Sequence, residues 1–126
     1  MEQIIKADRK VDIEDFIAEY SLFRKNVSLF QMTRQDINTA IIKYLHPYNP
    51  ERIGIFGSFA RQEDNDASDI DILVSFRDTP SLLDLARIHR ELSNVLGKKV
   101  DIVTESALKN KKLRQYIYND LKIIFE

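Results

Sequence analysis

The chain has no cysteine and no tryptophan among its 126 residues, and only three glycines and three prolines. Without cysteine there is no disulfide framework and no thiolate metal site, which fits a reducing compartment. Where glycine and proline are this scarce, each one marks a real boundary. Long hydrophobic runs are missing too. Stretches such as IGIF and ILV are far shorter than a bilayer requires. The first residues, MEQIIKADRKVDIEDF, are charged throughout and carry no apolar core of a secretory signal. No membrane association and a cytoplasmic location are the expectations.

An excess of one charge is also lacking. Nineteen Lys and Arg stand against twenty Asp and Glu, a formal net charge of −1. Proteins held on nucleic acid through its phosphates carry a basic excess, so no direct nucleic-acid partner is expected. The one dense basic cluster, KNKKLR at 109–114, reads as a solvated helix edge.

What remains is a composition 44% hydrophobic, enough for one domain with its own core. Apolar residues recur at helical spacing from Asp12, through Ile13, Phe16, Ile17, Tyr20, Phe23 and Val27. This stripe reads as a helical extension over residues 1–32, ahead of a main domain at 33–126. Thr33 opens a second helix with an approximate capping box to Asp36, and Pro47 and Pro50 end it. The period then changes. Arg52–Phe56 and Asp69–Phe76 read as strands. Ser81–Leu96 follows as an amphipathic helix with Leu82, Leu85, Ile88, Leu92 and Val95 on one face and Gly97 as its C-cap. Lys99–Val103 is a third strand, Leu108–Tyr118 a helix, and Leu121–Phe125 a final strand. The fold class is α+β, an α/β sandwich with helices packed on a small mixed sheet.

Chemistry gathers at the two ends of one connection, GSFARQEDNDASDID, residues 57–71. In a strand, Asp69 and Asp71 point to the same face. Two adjacent carboxylates repel each other and raise each other's proton affinity. A divalent cation between them removes that conflict, and hard oxygen ligands suit Mg²⁺, which completes its shell with waters and substrate phosphates. D-x-D by itself is also common on edge strands. At the other end, Gly57 follows a strand and Ser58-Phe59-Ala60-Arg61 reads as a first helical turn. Freed amides and the Ser58 hydroxyl there make a cradle for phosphate oxygens; the plainer alternative is a strand-to-helix turn with Ser58 as N-cap. Asp101, between Val100 and Ile102, faces away from both apolar neighbours and reaches the same site if its strand lies beside D-I-D. His46 and His89 have no partner at metal-ligand spacing and read as structural, and Tyr116 and Tyr118 as packing or interface residues.

These segments resemble the minimal nucleotidyltransferases of the DNA polymerase beta superfamily, small proteins paired with a HEPN-domain partner. The resemblance rests on Gly57-Ser58, Ser68-Asp69-Ile70-Asp71 and Asp101 in that order, and on IGIFGSFAR, SDIDILVSF, LLDLARIHRELSNVLGKKVDIVTESAL and LRQYIYNDLKIIFE around them. It covers residues 33–126 and implies the polymerase beta-like nucleotidyltransferase fold. It further implies transfer of a nucleoside monophosphate from an NTP, ATP in the first instance, to a tyrosine hydroxyl on a HEPN toxin, making the chain an antitoxin. Asp69, Asp71 and Asp101 would be catalytic and would hold two Mg²⁺ ions. Gly57, Ser58, Arg61 and Ser68 would bind the nucleotide, although Arg61 serves equally well in a salt bridge. One departure stands out: Gln62 occupies a position where the family often has Gly. The rival readings are an antitoxin that works by binding alone and a small-molecule transferase of the aminoglycoside type. A tRNA-tailing enzyme fits the near-neutral charge poorly. Self-association is left open by the sequence.

Overall fold

The computed structural model describes residues 33–65 and 67–126. The extension expected at 1–32, with its helix from Asp12, lies outside the described residues.

Helix α1, Arg34–Leu45, starts at the expected Thr33 capping box: the Asp36 amide donates to Thr33 Oγ1 and the Thr33 amide to Asp36 Oδ2, both at 3.0 Å. A single 3₁₀ turn, His46–Tyr48, brings Pro47 to its start and Asn49 into left-handed backbone, and strand β1, Pro50–Phe56, leaves from it. The one-turn helix α2, Gly57–Ala60, follows directly. After the loop come β2, Ile70–Phe76; α3, Leu82–Leu96; β3, Val100–Thr104; a 3₁₀ turn, Glu105–Ala107; α4, Lys111–Asp120; and β4, Lys122–Phe125.

The four strands form a mixed sheet in the order β3-β2-β1-β4. β1 is antiparallel to β2 and to β4, whereas β2 and β3 are parallel. A parallel pair needs a long crossover, and α3 supplies it. One sheet face carries the main core, with Ile53, Ile55, Ile70, Ile72 and Val74 packed under Ile41 and Leu45 of α1 and Ile88 and Leu92 of α3. The other face carries a smaller cluster, Phe56, Leu73, Leu108 and Ile117, beneath α4. Strand residues alternate between the two faces, so Asp69 and Asp71 fall on the α4 side with Leu73.

Two features of α3 decide how the sheet ends. Ser81 caps its start through the Asp84 amide (3.1 Å), and Gly97 (φ 69) closes it. Its flank then binds the outer edge of β3: Ser93 Oγ accepts from the Val100 amide (2.9 Å) and His89 Nε2 from the Ile102 amide (3.2 Å). His89 is structural, as expected. The expected apolar stripe needs one correction. Leu82 is 84% exposed, and the buried face starts only at Leu85 and Ile88, because the first turn of α3 stands clear of the main core.

Candidate active site

The parallel register of β2 and β3 pairs Asp71 with Asp101 as direct neighbours on adjacent strands. Asp69 precedes β2 by one residue and belongs to the same cluster. Lys99 Nζ stands 3.8 Å from Asp69 Oδ2 and 3.8 Å from Asp101 Oδ1, so the side chains converge on one place. The Asp69 and Asp101 side chains are about two-fifths exposed (38% and 39%). Asp71 sits deeper. Burial first, then the charges of Asp101 and Asp69, push its carboxyl above the usual range, against the pull of Arg61 and Lys99.

Phe56, the last residue of β1, pairs with Asp71, so the chain leaves β1 beside that carboxylate. Gly57 then turns with φ 78, and a Cβ built on it would collide with Asp71 Oδ2. Only glycine fits both demands. The N-cap of α2 is Phe56, which supplies no capping side chain. Ser58 therefore lies inside the turn and is not its N-cap, and among the described residues the first amides of α2 have no side-chain cap. The turn closes through Arg61 N–H to Gly57 O (3.1 Å), Gln62 N–H to Phe59 O (3.2 Å) and Glu63 N–H to Ser58 O (2.9 Å).

The remaining expected residues are already engaged. Arg61 donates to Glu63 Oε1 (2.9 Å) and Asp120 Oδ2 (2.6 Å), tying the turn to the end of α4. Ser68 Oγ accepts from the Asn65 amide (2.9 Å), while Asn65 Oδ1 accepts from the Ala67 amide (2.8 Å), and together they close the loop just before Asp69. Lys98 Nζ donates to Asn65 O (3.0 Å) from the far side. Lys99 was missed in the sequence, although its two-residue offset from Asp101 puts it on the same strand face. Arg34 was missed as well. It binds Phe59 and Asp64, 25 and 30 residues further along.

Among the described residues no group of three His, Cys, Asp or Glu is drawn together at ligating distance. The donors are nonetheless all carboxylate oxygens: Asp71 and Asp101 are paired across β2 and β3, Lys99 bridges Asp69 and Asp101, and a cation would relieve the repulsion that raises the Asp71 carboxyl. That chemistry fits a hard divalent ion such as Mg²⁺.

Residues 39–126 match the family model for polymerase beta nucleotidyltransferases. The chain belongs to that family. It is thus a nucleotidyltransferase, with the mixed sheet and packed helices of the fold. A Methanocaldococcus jannaschii protein provisionally named a protein adenylyltransferase is 47% identical over 77 residues, covering 61% of this chain and 83% of that one. The protein adenylyltransferase MntA of Thermococcus cleftensis is 40% identical over 75 residues, covering 56% of this nucleotidyltransferase and 76% of its own length. Among solved structures, the chain resembles a toxin-antitoxin crystal structure with AMP-PNP at 27% identity and TM-score 0.64, over 70% of this chain and 72% of that one. A tri-AMPylated Shewanella oneidensis HEPN toxin in complex with an MNT antitoxin gives 25% identity and TM-score 0.61, over 74% and 72%. No helix among the described residues is long and apolar enough to cross a membrane.

Proposed function

We propose that this nucleotidyltransferase moves AMP from ATP to a tyrosine hydroxyl of a partner HEPN-domain toxin and so acts as its antitoxin. The observation that carries the reading is the pairing of Asp71 with Asp101 in one row, with the Gly57 turn pressed against Asp71. A relative named protein adenylyltransferase and a neighbour that contains a tri-AMPylated HEPN toxin support the acceptor class.

Asp69 and Asp71 would hold Mg²⁺ shared with the triphosphate, and Asp101 would complete a second position. Ions there would lower the proton affinity of the acceptor hydroxyl and offset charge on the attacking and leaving oxygens. The first amides of α2 and the Ser58 hydroxyl would take the terminal phosphates, with Gly57 allowing the close approach. Asp101 would accept the acceptor's proton as its oxygen bonds to the α-phosphorus; the α–β phosphoanhydride breaks and pyrophosphate leaves. Arg61 would act at one remove, since its two ion pairs fix the turn and its charge lies near Asp71. Ser68 would position Asp69 through the 65–68 loop.

The test is label transfer. The purified protein is incubated with each α-labelled NTP, Mg²⁺ and host lysate, beside an Asp69→Asn/Asp71→Asn control. A labelled protein band that requires ATP and both carboxylates is expected, with the label released from tyrosine on phosphodiesterase digestion. Toxin neutralisation that persists in the double variant, with no label on any protein, would instead establish an antitoxin that works by binding.

A further inference from the structure

The turn that carries Gly57 and Ser58 is only four residues long, and its exit is strained. Gln62 takes φ 62, backbone that glycine adopts freely and glutamine does not. An open pocket of about 190 Å³ adjoins the turn, lined by Arg34, Asn38, Phe59, Ala60, Gln62 and Ile124 among others, and Asn38 Oδ1 is buried without a hydrogen-bond partner among the described residues. A helix this short, with a strained exit beside an open pocket, gains from an external brace.

Arg34, the first residue of α1, supplies one. Its guanidinium lies 4.3 Å from the centre of the Phe59 ring, within cation–π range. One nitrogen donates to the Phe59 carbonyl at 2.5 Å, the same carbonyl that accepts from the Gln62 amide. Another is paired with the Asp64 carboxylate. A single planar group thus grips the chain on both sides of Gln62. A lysine could supply the charge but neither the fork nor the stacking plane.

We propose that Arg34 is a positioning residue for nucleotide binding: by holding the Phe59 carbonyl and Asp64 together, it keeps the Gly57–Ala60 turn in place against the strain at Gln62. The proposal rests on the reading that this turn receives the phosphates. The burial of Asp64 agrees with a working contact. Burial pushes its carboxyl up, but the hydrogen bonds it accepts from Arg34 and from its own backbone amide, with the charges of Arg34 and Lys98, more than reverse this and leave it below the usual range.

The experiment is calorimetric titration of the full-length protein with AMP-PNP and Mg²⁺, with melting curves on the same samples. Arg34→Met is expected to weaken AMP-PNP binding about tenfold, and Arg34→Lys to behave like it. Asp64→Asn, which removes one grip and leaves the stacking, should weaken binding about threefold and covers the case in which Arg34→Met does not fold. The decisive variant is Arg34→Met/Gln62→Gly. With the strain removed, the brace is no longer required, and affinity should return to within about twofold of the parent. A purely structural role for Arg34 would give no such rescue, so a double variant as weak as Arg34→Met overturns the proposal, as does Arg34→Met binding at parental affinity. Ser58→Ala separates the two layers. If it weakens AMP-PNP binding while Arg34→Met does not, the phosphate cradle stands and the brace falls; if neither variant alters binding, both fall.

Discussion

Gly57 and Asp71 are mutually exclusive with any side chain between them: the space a Cβ would need at position 57 is filled by Asp71 Oδ2. Sequence distance hides this contact, and β1–β2 pairing creates it by setting Phe56 opposite Asp71. Gly57→Ala should cost about 1–2 kcal/mol of stability through the left-handed backbone alone. It should also displace Asp71 and lower label transfer about a hundredfold. Gly97→Ala is the control. It shares the left-handed backbone (φ 69) at the C-cap of α3, so it should melt earlier yet keep its activity.

Asp71 should trade stability for chemistry. Its carboxyl is pushed up by burial, Asp101 and Asp69, so the folded state holds the proton more tightly than the unfolded chain. Stability then falls as pH rises from the ordinary aspartate value of ~3.9 through the raised folded value. Asp71→Asn should flatten that decline and melt no earlier than the parent at neutral pH, while transfer disappears. Chemical denaturation between pH 3 and 7, read beside label transfer, checks both halves; an Asn variant that is both inactive and unfolded would contradict the account.

Glu105 should show the opposite sign. It accepts from Arg52 at 2.5 and 2.7 Å and from the Tyr118 hydroxyl at 2.5 Å, joining β1, the end of β3 and α4. The Arg52 hydrogen bond leads the effects that hold its carboxyl below the usual range, against partial burial. Its contribution is therefore complete above the ordinary glutamate value of ~4.3 and is lost as pH falls through the depressed folded value. Because Arg52 is 42% exposed, Glu105→Gln should cost only about 1 kcal/mol at neutral pH, and the difference from the parent should vanish in acid. Urea midpoints across the same pH series test it.

A divalent ion should be visible without turnover. A ligand bound only by the folded state at a hundred times its dissociation constant adds about 2.7 kcal/mol. Mg²⁺ with AMP-PNP should raise the melting temperature of the parent and leave Asp69→Asn/Asp71→Asn unmoved. Equal shifts in both would place the ion elsewhere.

The sequence made the local devices legible because each lies within a few residues. The Thr33–Asp36 capping box, the Gly97 cap and the alternation around Ile70 all follow from short-range geometry. The site was half legible in the same way: Asp69 and Asp71 share a face by strand periodicity, but their alignment with Asp101 depends on a register set by the α3 crossover. Arg61 illustrates what stays hidden. Its partner Asp120 is 59 residues away, and no spacing rule announces that pair. Arg34 is hidden for the same reason, since a charged residue in the first turn of a helix looks solvated until the loop that it grips is in view. Leu82 fits the helical period yet stays outside, because periodicity assigns a face but not where the opposing surface begins.

The hydrogen bonds from Ser93 and His89 to the edge of β3 have a consequence for traffic at the site. An extended peptide arriving beside Asp101 would look for free amides at 100 and 102, and both are already taken. A strand added along that stretch, whether from a visiting substrate segment or from another molecule of the same protein in a growing fibre, would have to displace both bonds. A protein that serves as the acceptor proposed above would then offer its hydroxyl from a protruding side chain and not from a strand added beside β3.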